Sequence, residues 1–413
     1  MALTLADLKG KTAGVCVSGG LDSRTISKVL VEAGVNVIAF SADVGQPDEK
    51  DINDIRKRMA PCGVDTVIVD LKEEMAKACF EAIEAQAMYD GGYWNSTGIA
   101  RAVTVRGLIP EMKKRKCTVL IHGATGRGND QMRFERYTNV LAPSMRVYSP
   151  WRDAELLKRF PGRTQMVEFL AKYGIKAFVG TKKKYSTDSN LAGLSHEAED
   201  LESMETSMLI VKPTMGVWPQ EAPDKVEKFT VRFEKARAVQ INGKDVTPLE
   251  AMLLANKIGG RNGIGMKHAL ENRIIGTKSR GVYEAPGMEV LATALRYLYQ
   301  ATMDRRATLL FMQLSKLVAD QIYDGRYYDP ATQAARAAIG VFAKHATGTV
   351  EVGLYKGNIF FNALSGCKAT IYNEADSSME ASNGLNPVSS QGFAEIQSVE
   401  ALMLAKAGQI VSK

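Results

Sequence analysis

The run CVSGGLDSRTISKVL, residues 16–30, sets two glycines beside a serine, with Asp22 and Ser23 just beyond. Glycines let a backbone approach a ligand closely and take positive φ. If a helix follows, the amides of residues 18–23 point into its N-terminus. Unpaired N–H groups and the helix dipole then attract phosphate together. A plain strand–helix turn capped by Asp22 or Ser23 would use the same residue types. With each residue at about 7% frequency, however, S-G-G-x-D-S arises by chance in roughly one chain in a thousand of this length, so coincidence is the poorer account. Neither GxxxxGK(S/T) nor GxGxxG occurs. Metal chemistry built by the protein alone has little support: five scattered cysteines form no CxxC pair, and four histidines form no HExxH.

The elements that must hold this run read as follows. Residues 13–18, 35–40, 66–71 and 118–122 are short apolar strands. Helices are expected over 21–33, 48–59, 73–88 and 98–116, the last ending in the basic cluster KKRK. Apolar strands alternating with helices imply a parallel sheet covered on both faces, a doubly wound α/β domain. Its carboxyl edge is where ligands gather, and both SGGLDS and the later GATGRGND follow strands there. After about residue 180 the pattern changes to α+β. Hairpins are expected at 228–241 and 349–364, the second turning at Lys356 and Gly357, with helices over 248–257, 288–303 and 305–323. A short tail helix is expected over 398–407.

At 413 residues the chain is too long for one ordinary core, so two or more domains are expected. Hydrophobic content of 45% and charged content of 24% are those of a soluble globular protein. No apolar run is long enough to span a bilayer, and the start lacks a signal-peptide pattern, so a cytoplasmic protein is expected. Net charge is +7. The clusters at 113–116 and 182–184 read as a solvated helix end and a solvated loop, with no nucleic-acid partner expected. A mild positive field also favours anionic metabolites.

The SGGLDS loop resembles the pyrophosphate loop (PP-loop) of the ATP-pyrophosphatase superfamily, with its adenine nucleotide alpha hydrolase-like fold. Four further motifs narrow this: YWNSTGIAR (93–101), GATGRGNDQMRFE (123–135), YSTDSNLAGLSHEAEDLE (185–202) and ENRIIGTKSRGVYEAPG (271–287). Together they closely resemble the argininosuccinate synthase family, in order, from about residue 13 to past 300. The resemblance implies a ligase joining L-citrulline and L-aspartate with ATP, bound as MgATP, through an adenylated intermediate. It also implies a nucleotide-binding domain over 1–175, a synthetase domain over 176–385 and an oligomerisation tail over 386–413 in a homotetramer. ATP is then assigned to Cys16, Val17, Ser18, Gly19, Gly20, Leu21, Asp22, Ser23, Arg24, Ala42, Gly123, Thr125, Asp130 and Asp188. Citrulline falls to Tyr93, Asn129, Arg133, Ser186, Ser195, Glu197, Glu271 and Tyr283. Aspartate falls to Thr97, Thr125, Asn129 and Asp130. Asp22, Asp130 and Arg133 are the residues closest to the chemistry.

Several positions depart from the family pattern. Arg24 stands where a serine or threonine is usual, Gly98 where many relatives have serine, Asp43 where asparagine is common, and Arg127 where lysine is usual. Arg24 and Gly98 leave room for an altered substrate. Two rival readings follow: a PP-loop enzyme acting on RNA, and a homologue that binds a citrulline analogue without turnover. The run from Asp188 partly fits a calcium loop, but Ala192 at the fifth position cannot coordinate through its side chain.

Overall fold

The computed structural model describes residues 3–176, 185–380 and 384–410. The first unit, Met1–Ala369, holds three sheets. β1 (Thr12–Cys16), α1 (Leu21–Glu32), β2 (Asn36–Asp43), α2 (Asp54–Met59), β3 (Asp65–Asp70), α3 (Lys72–Glu84), α4 (Ser96–Lys114), β4 (Val119–His122), α5 (Asp130–Leu141) and β5 (Arg146–Tyr148) come first. The five strands form one parallel sheet in the order β3-β2-β1-β4-β5. Ala13, Val15 and Val17 face one apolar layer with Ile26, Val29 and Leu30 of α1. Each such side chain, fully buried, contributes about 1.5–3 kcal/mol. On the other face α4 packs so close that a Cβ on Gly14 would meet the Met112 side chain at 2.9 Å. Both faces are therefore covered, as the apolar strands imply.

Strand order turns back between β1 and β4, which pair with Cys16 opposite His122. Connections leave the two strands in opposite directions, so a crevice opens above their carboxyl ends. The SGGLDS loop flanks it on one side and Gly123–Asn129 on the other.

After α6 (Ala154–Arg159) and α7 (Arg163–Ala171), the antiparallel part begins with β6 (Ser186–Asn190) and β7 (Gly193–Glu197). It continues through β8 (Glu227–Glu234), β9 (Arg237–Ile241), β10 (Lys244–Asp245), α8 (Pro248–Arg261), β11 (Met266–Asn272), β12 (Lys278–Glu284), α9 (Pro286–Thr302), α10 (Arg305–Tyr323), α11 (Pro330–Ala343), β13 (Gly348–Tyr355) and β14 (Asn358–Ser365). One four-stranded sheet runs β11-β12-β7-β6, and a five-stranded one β10-β9-β8-β13-β14. Both expected hairpins are present, and Lys356 and Gly357 take the positive φ of 44° and 83° that such a turn needs. The second unit, Thr370–Lys413, carries α12 (Glu374–Ser377) and α13 (Ser389–Lys406).

Some expected elements shift. The helix foreseen over 48–59 is only Asp54–Met59, because the Asp51 carboxylate accepts from the Asn53 amide at 2.9 Å and folds the approach into a turn. The helix foreseen to 88 stops at Glu84, where Gln86 takes φ 50°. The tail helix starts nine residues earlier than expected, at Ser389. In the KKRK cluster, Lys114 and Arg115 pair with Glu111 at the exposed end of α4. The lysines at 182–184 lie outside the described residues.

Candidate active site

Above the switch point lies a cavity of about 860 Å³. Its floor is the loop after β1: Cys16, Val17, Ser18, Gly20, Leu21, Asp22 and Ser23 all line it. Ala42 at the end of β2 and Gly123, Thr125, Asn129, Asp130 and Arg133 around the start of α5 form one wall. Tyr93 and Thr97, with Ser186, Asp188, Ser195, Glu197, Glu271 and Tyr283, form the other. Thus one space gathers residues from Cys16 to Tyr323. Two of the foreseen residues do not line it, Gly19 and Arg24. Gly19 takes φ 74° to make the turn. Arg24 is buried with its guanidinium turned away, donating to the carbonyl oxygens of Gly20 and Lys176 at 3.3 and 2.8 Å.

The loop is built to present amides. Ser18 N donates to Ser23 Oγ at 3.0 Å, which closes the turn. The first helical bond of α1 runs from Arg24 N to Gly20 O, so the amides of residues 21–23 precede it. Gly20, at the N-cap, supplies no side chain to satisfy them. Burial pushes the Asp22 carboxyl up, opposed by its own backbone amide and by the charge of Arg163. Burial also pushes the Cys16 thiol up to about 12, so it stays protonated and inert.

A charge network spans the middle of the cavity. Arg101 reaches Asp130 Oδ2 at 2.9 Å through Nε and at 2.8 Å through Nη2, and also bonds Asp188. Arg133 Nη1 holds Asp130 Oδ1 at 2.9 Å. Burial would raise the Asp130 pKa, but Arg101 and Arg133 outweigh it and hold the carboxyl below its ordinary range. For Asp188 burial wins, with the Asp130 charge adding to it, and its pKa rises despite Arg101. Asp130 is thus the firmly charged member of the pair.

The far end is a basket of hydroxyls around Glu271. Tyr283 Oη donates to Glu271 Oε2 at 3.1 Å and Tyr323 Oη to Oε1 at 2.7 Å, while Tyr93 Oη also bonds Oε2. The Tyr93 and Tyr283 rings stack at 3.8 Å, and β7 and β12 place Ser195 directly opposite Tyr283. Burial and the nearby Glu271 charge push Glu197 up to about 7, against Arg273. Asn129 donates to Tyr323 Oη at 2.7 Å and accepts from Ile274 N at 3.1 Å, so it ties α5 to α10 and to the β11–β12 turn.

Arg101 and Tyr323 were not foreseen as site residues. Arg101 lies in the YWNSTGIAR motif, where an arginine six residues past the α4 cap was the available signal. Tyr323 had none, since it closes an ordinary amphipathic helix. Neither Gly98 nor Asp43 lines the cavity. Asn95 caps α4 by accepting from Gly98 N at 3.0 Å, and a Cβ on Gly98 would stand 2.7 Å from Asn95 Nδ2 and 3.0 Å from Ile322 O. Close packing on α10 therefore requires glycine there. Asp43 holds Lys72 at 2.6 Å. The run from Asp188, already a poor calcium loop because of Ala192, is the β6–β7 hairpin, closed by Asn190 Oδ1 accepting from Ala192 N and Gly193 N. Among the described residues no group of three acidic, histidine or cysteine side chains is placed to hold a metal ion.

Comparison with known proteins agrees with the geometry. Residues 13–176 match the arginosuccinate synthase N-terminal HUP domain, and residues 185–404 match the arginosuccinate synthase C-terminal domain. The argininosuccinate synthase of Rhodopirellula baltica is 37% identical over 390 residues, covering 94% of this chain and 96% of that one. Those of a Thermotoga species and of Thermotoga maritima are each 38% identical, over 406 and 403 residues, covering 96% of this chain and 97% of theirs. With both halves matched and near-complete coverage at this identity, the chain belongs to the argininosuccinate synthase family.

Proposed function

We propose that this chain is an ATP-dependent ligase that joins L-citrulline to L-aspartate, with release of AMP and pyrophosphate, in the biosynthesis of arginine. One observation carries the reading: a single cavity unites a phosphate-gripping loop, a carboxylate–guanidinium network and a hydroxyl-lined carboxylate. The chemistry needs all three. A ureido oxygen is a poor leaving group, so it must first attack the α-phosphorus of ATP while pyrophosphate departs with the bonding pair. The aspartate amine then attacks the activated carbon, loses its proton, and AMP leaves. Positioning and electrostatic stabilisation supply most of the rate.

The roles follow from the placement. The amides of residues 21–23 hold the phosphate end, with Asp22 beside it, and Ala42 and Gly123 border the nucleotide. Arg133 has Nη2 buried with no hydrogen-bond partner among the described residues, which suits a citrulline carboxylate. Glu271 and Glu197, with Tyr93, Tyr283, Ser186 and Ser195, receive the citrulline ammonium and ureido groups. Asp130 meets the aspartate ammonium, with Thr97, Thr125 and Asn129 at its carboxylates. Magnesium would enter with the triphosphate, with Asp22, Asp48 and Asp188 along the cavity as its nearest carboxylates. There it would neutralise phosphate charge. Arg24 is left out of the phosphate contacts because its side chain faces Lys176.

The division into residues 1–175, 176–385 and a 386–413 tail is part of the same proposal. So is a homotetramer, supported by α13, where Phe393, Ile396, Val399, Leu402 and Met403 are each more than half exposed. No helix among the described residues is long and apolar enough to cross a membrane. A cytoplasmic site of action is supported by five free cysteines, three of them buried. The test is pyrophosphate release from MgATP with and without each amino acid, followed by mass spectrometry. Release dependent on citrulline, with a product of argininosuccinate mass, is expected. Release dependent on RNA, or none with this pair, would overturn the reading. Sedimentation as a monomer at micromolar concentration would remove the tetramer.

A further inference from the structure

Arg58, at the end of α2, is absent from every motif discussed above, yet it stands against the phosphate loop. A Cβ on Gly19 would lie 2.8 Å from Arg58 Nε and 3.4 Å from Cζ and Nη2. The guanidinium therefore packs on the loop backbone at Gly19, where no side chain blocks it. Its Nη2 bonds Glu49, which lines the cavity. Its Nε is buried and has no hydrogen-bond partner among the described residues. Arg24 is near enough for the two positive charges to repel each other, and among the described residues no carboxylate bonds Arg24. The Arg58 guanidinium, with its unpartnered N–H, and the nearby amides at the start of α1 form a place short of negative charge. Glu49 supplies only part of it.

We propose that Arg58 is a further pyrophosphate-binding residue, held by Glu49 before nucleotide binds and transferred to the β- and γ-phosphates when it does. The inference rests on the reading of the cavity as an ATP site. As the α-phosphorus–oxygen bond breaks, the bonding pair moves onto the departing pyrophosphate. A guanidinium on that group stabilises the added charge. Glu49 keeps the arginine aligned beforehand. It also competes for it afterwards, which speeds product departure.

The test is direct calorimetric binding of magnesium pyrophosphate and, separately, of AMP, to the full-length protein and three variants. Wild type is expected to bind both. Arg58→Ala should weaken pyrophosphate roughly 10- to 100-fold, as expected for loss of a charge-assisted contact, and leave AMP within about twofold. Arg58→Lys should recover part of the loss, because the charge remains but the fork does not. Glu49→Gln should tighten pyrophosphate, an effect that damage to folding cannot imitate. In turnover, Arg58→Ala should show the same selective relief of product inhibition by pyrophosphate. Unchanged pyrophosphate binding in Arg58→Ala, equal losses for both ligands, or weaker binding in Glu49→Gln would each overturn the proposal. Failure of wild type to bind either ligand would instead sink the nucleotide reading on which it stands.

Discussion

Replacing Glu271 with glutamine should raise KM for citrulline by two orders of magnitude while the protein stays folded. The carboxylate is 4% exposed and accepts from three tyrosine hydroxyls, none of which carries a positive charge. Among the described residues no cation bonds this carboxylate, and on the proposed reading the ammonium of citrulline supplies one. Two unit charges about 4 Å apart attract by about 4 kcal/mol at an effective dielectric constant near 20. Desolvation of the ammonium offsets some of this, leaving about 2–4 kcal/mol. At about 1.4 kcal/mol per decade that is roughly a 30- to 1,000-fold change. For stability of the fold the terms oppose each other. Weakened hydrogen bonds cost about 1.5–3 kcal/mol, and removing a buried charge offsets a similar amount. The melting temperature should therefore shift by only about 2 °C. The assay is initial-rate pyrophosphate release over a citrulline series at saturating MgATP and aspartate, with thermal unfolding of ligand-free protein alongside. An unchanged KM for citrulline would refute the reasoning. So would a large drop in melting temperature with matching losses for all three substrates, which would make Glu271 a structural residue.

Asp130→Asn should raise KM for aspartate at least about 100-fold, by loss of a charged partner, while citrulline-dependent exchange of pyrophosphate into ATP persists; loss of that exchange would place Asp130 in the first step instead. Gly98→Ser should destabilise by about 1–3 kcal/mol through crowding against Asn95 and Ile322, with kcat/KM for citrulline within about threefold in whatever fraction stays folded. Active-site titration separates the two effects, and a large rise in KM would restore position 98 to the citrulline pocket. Glu197 takes up a proton as pH falls through about 7, so kcat/KM for citrulline should drop below that pH, and the Glu197→Gln variant should be low and flat. The folded carboxyl keeps its proton up to about 7 and the unfolded one only to the ordinary 4.5. The group's contribution to stability is therefore largest at low pH and falls as pH rises between those values. A wild-type profile flat from pH 6 to 8 would contradict this.

The parallel half of the fold was readable because strand and helix periods differ and each strand is buried on both faces. Val15 and Ile121 have no polar alternation to confuse them. The antiparallel half was readable only where a turn declared itself, as at Lys356 and Gly357. The hairpins β6–β7 and β11–β12 sit in stretches rich in charged and hydroxyl residues, whose apolar alternation is broken because one face lines the cavity. STDSN has no strand signature of its own, and β7 makes it a strand by pairing. The same cause hid the start of α5. Its first turn, DQMRF, looked like a motif of polar side chains because Asp130 and Arg133 face the ligand space and not solvent.

The residues that escaped sequence reasoning share a physical trait: their meaning lies in a partner far along the chain. Tyr323 matters because its hydroxyl joins Glu271 to Asn129, 52 and 194 residues away. Arg101 matters because it stands between two carboxylates that would otherwise repel, at positions 130 and 188. Tyr323 has no local signature and Arg101 only its place in a motif, since helix periodicity treats both as ordinary surface or core positions. The unpaired atoms say more than the paired ones. Arg133 commits Nε to Tyr323 O and Nη1 to Asp130, each near 2.9 Å, and leaves Nη2 buried without a partner among the described residues. Leaving a buried charged donor unmade costs on the order of 1–3 kcal/mol. A fold keeps such a cost where a ligand later removes it. On the proposed reading these groups match the charges of the substrates: a donor for a carboxylate at Arg133, a carboxylate for an ammonium at Glu271, and amides for phosphate at residues 21–23.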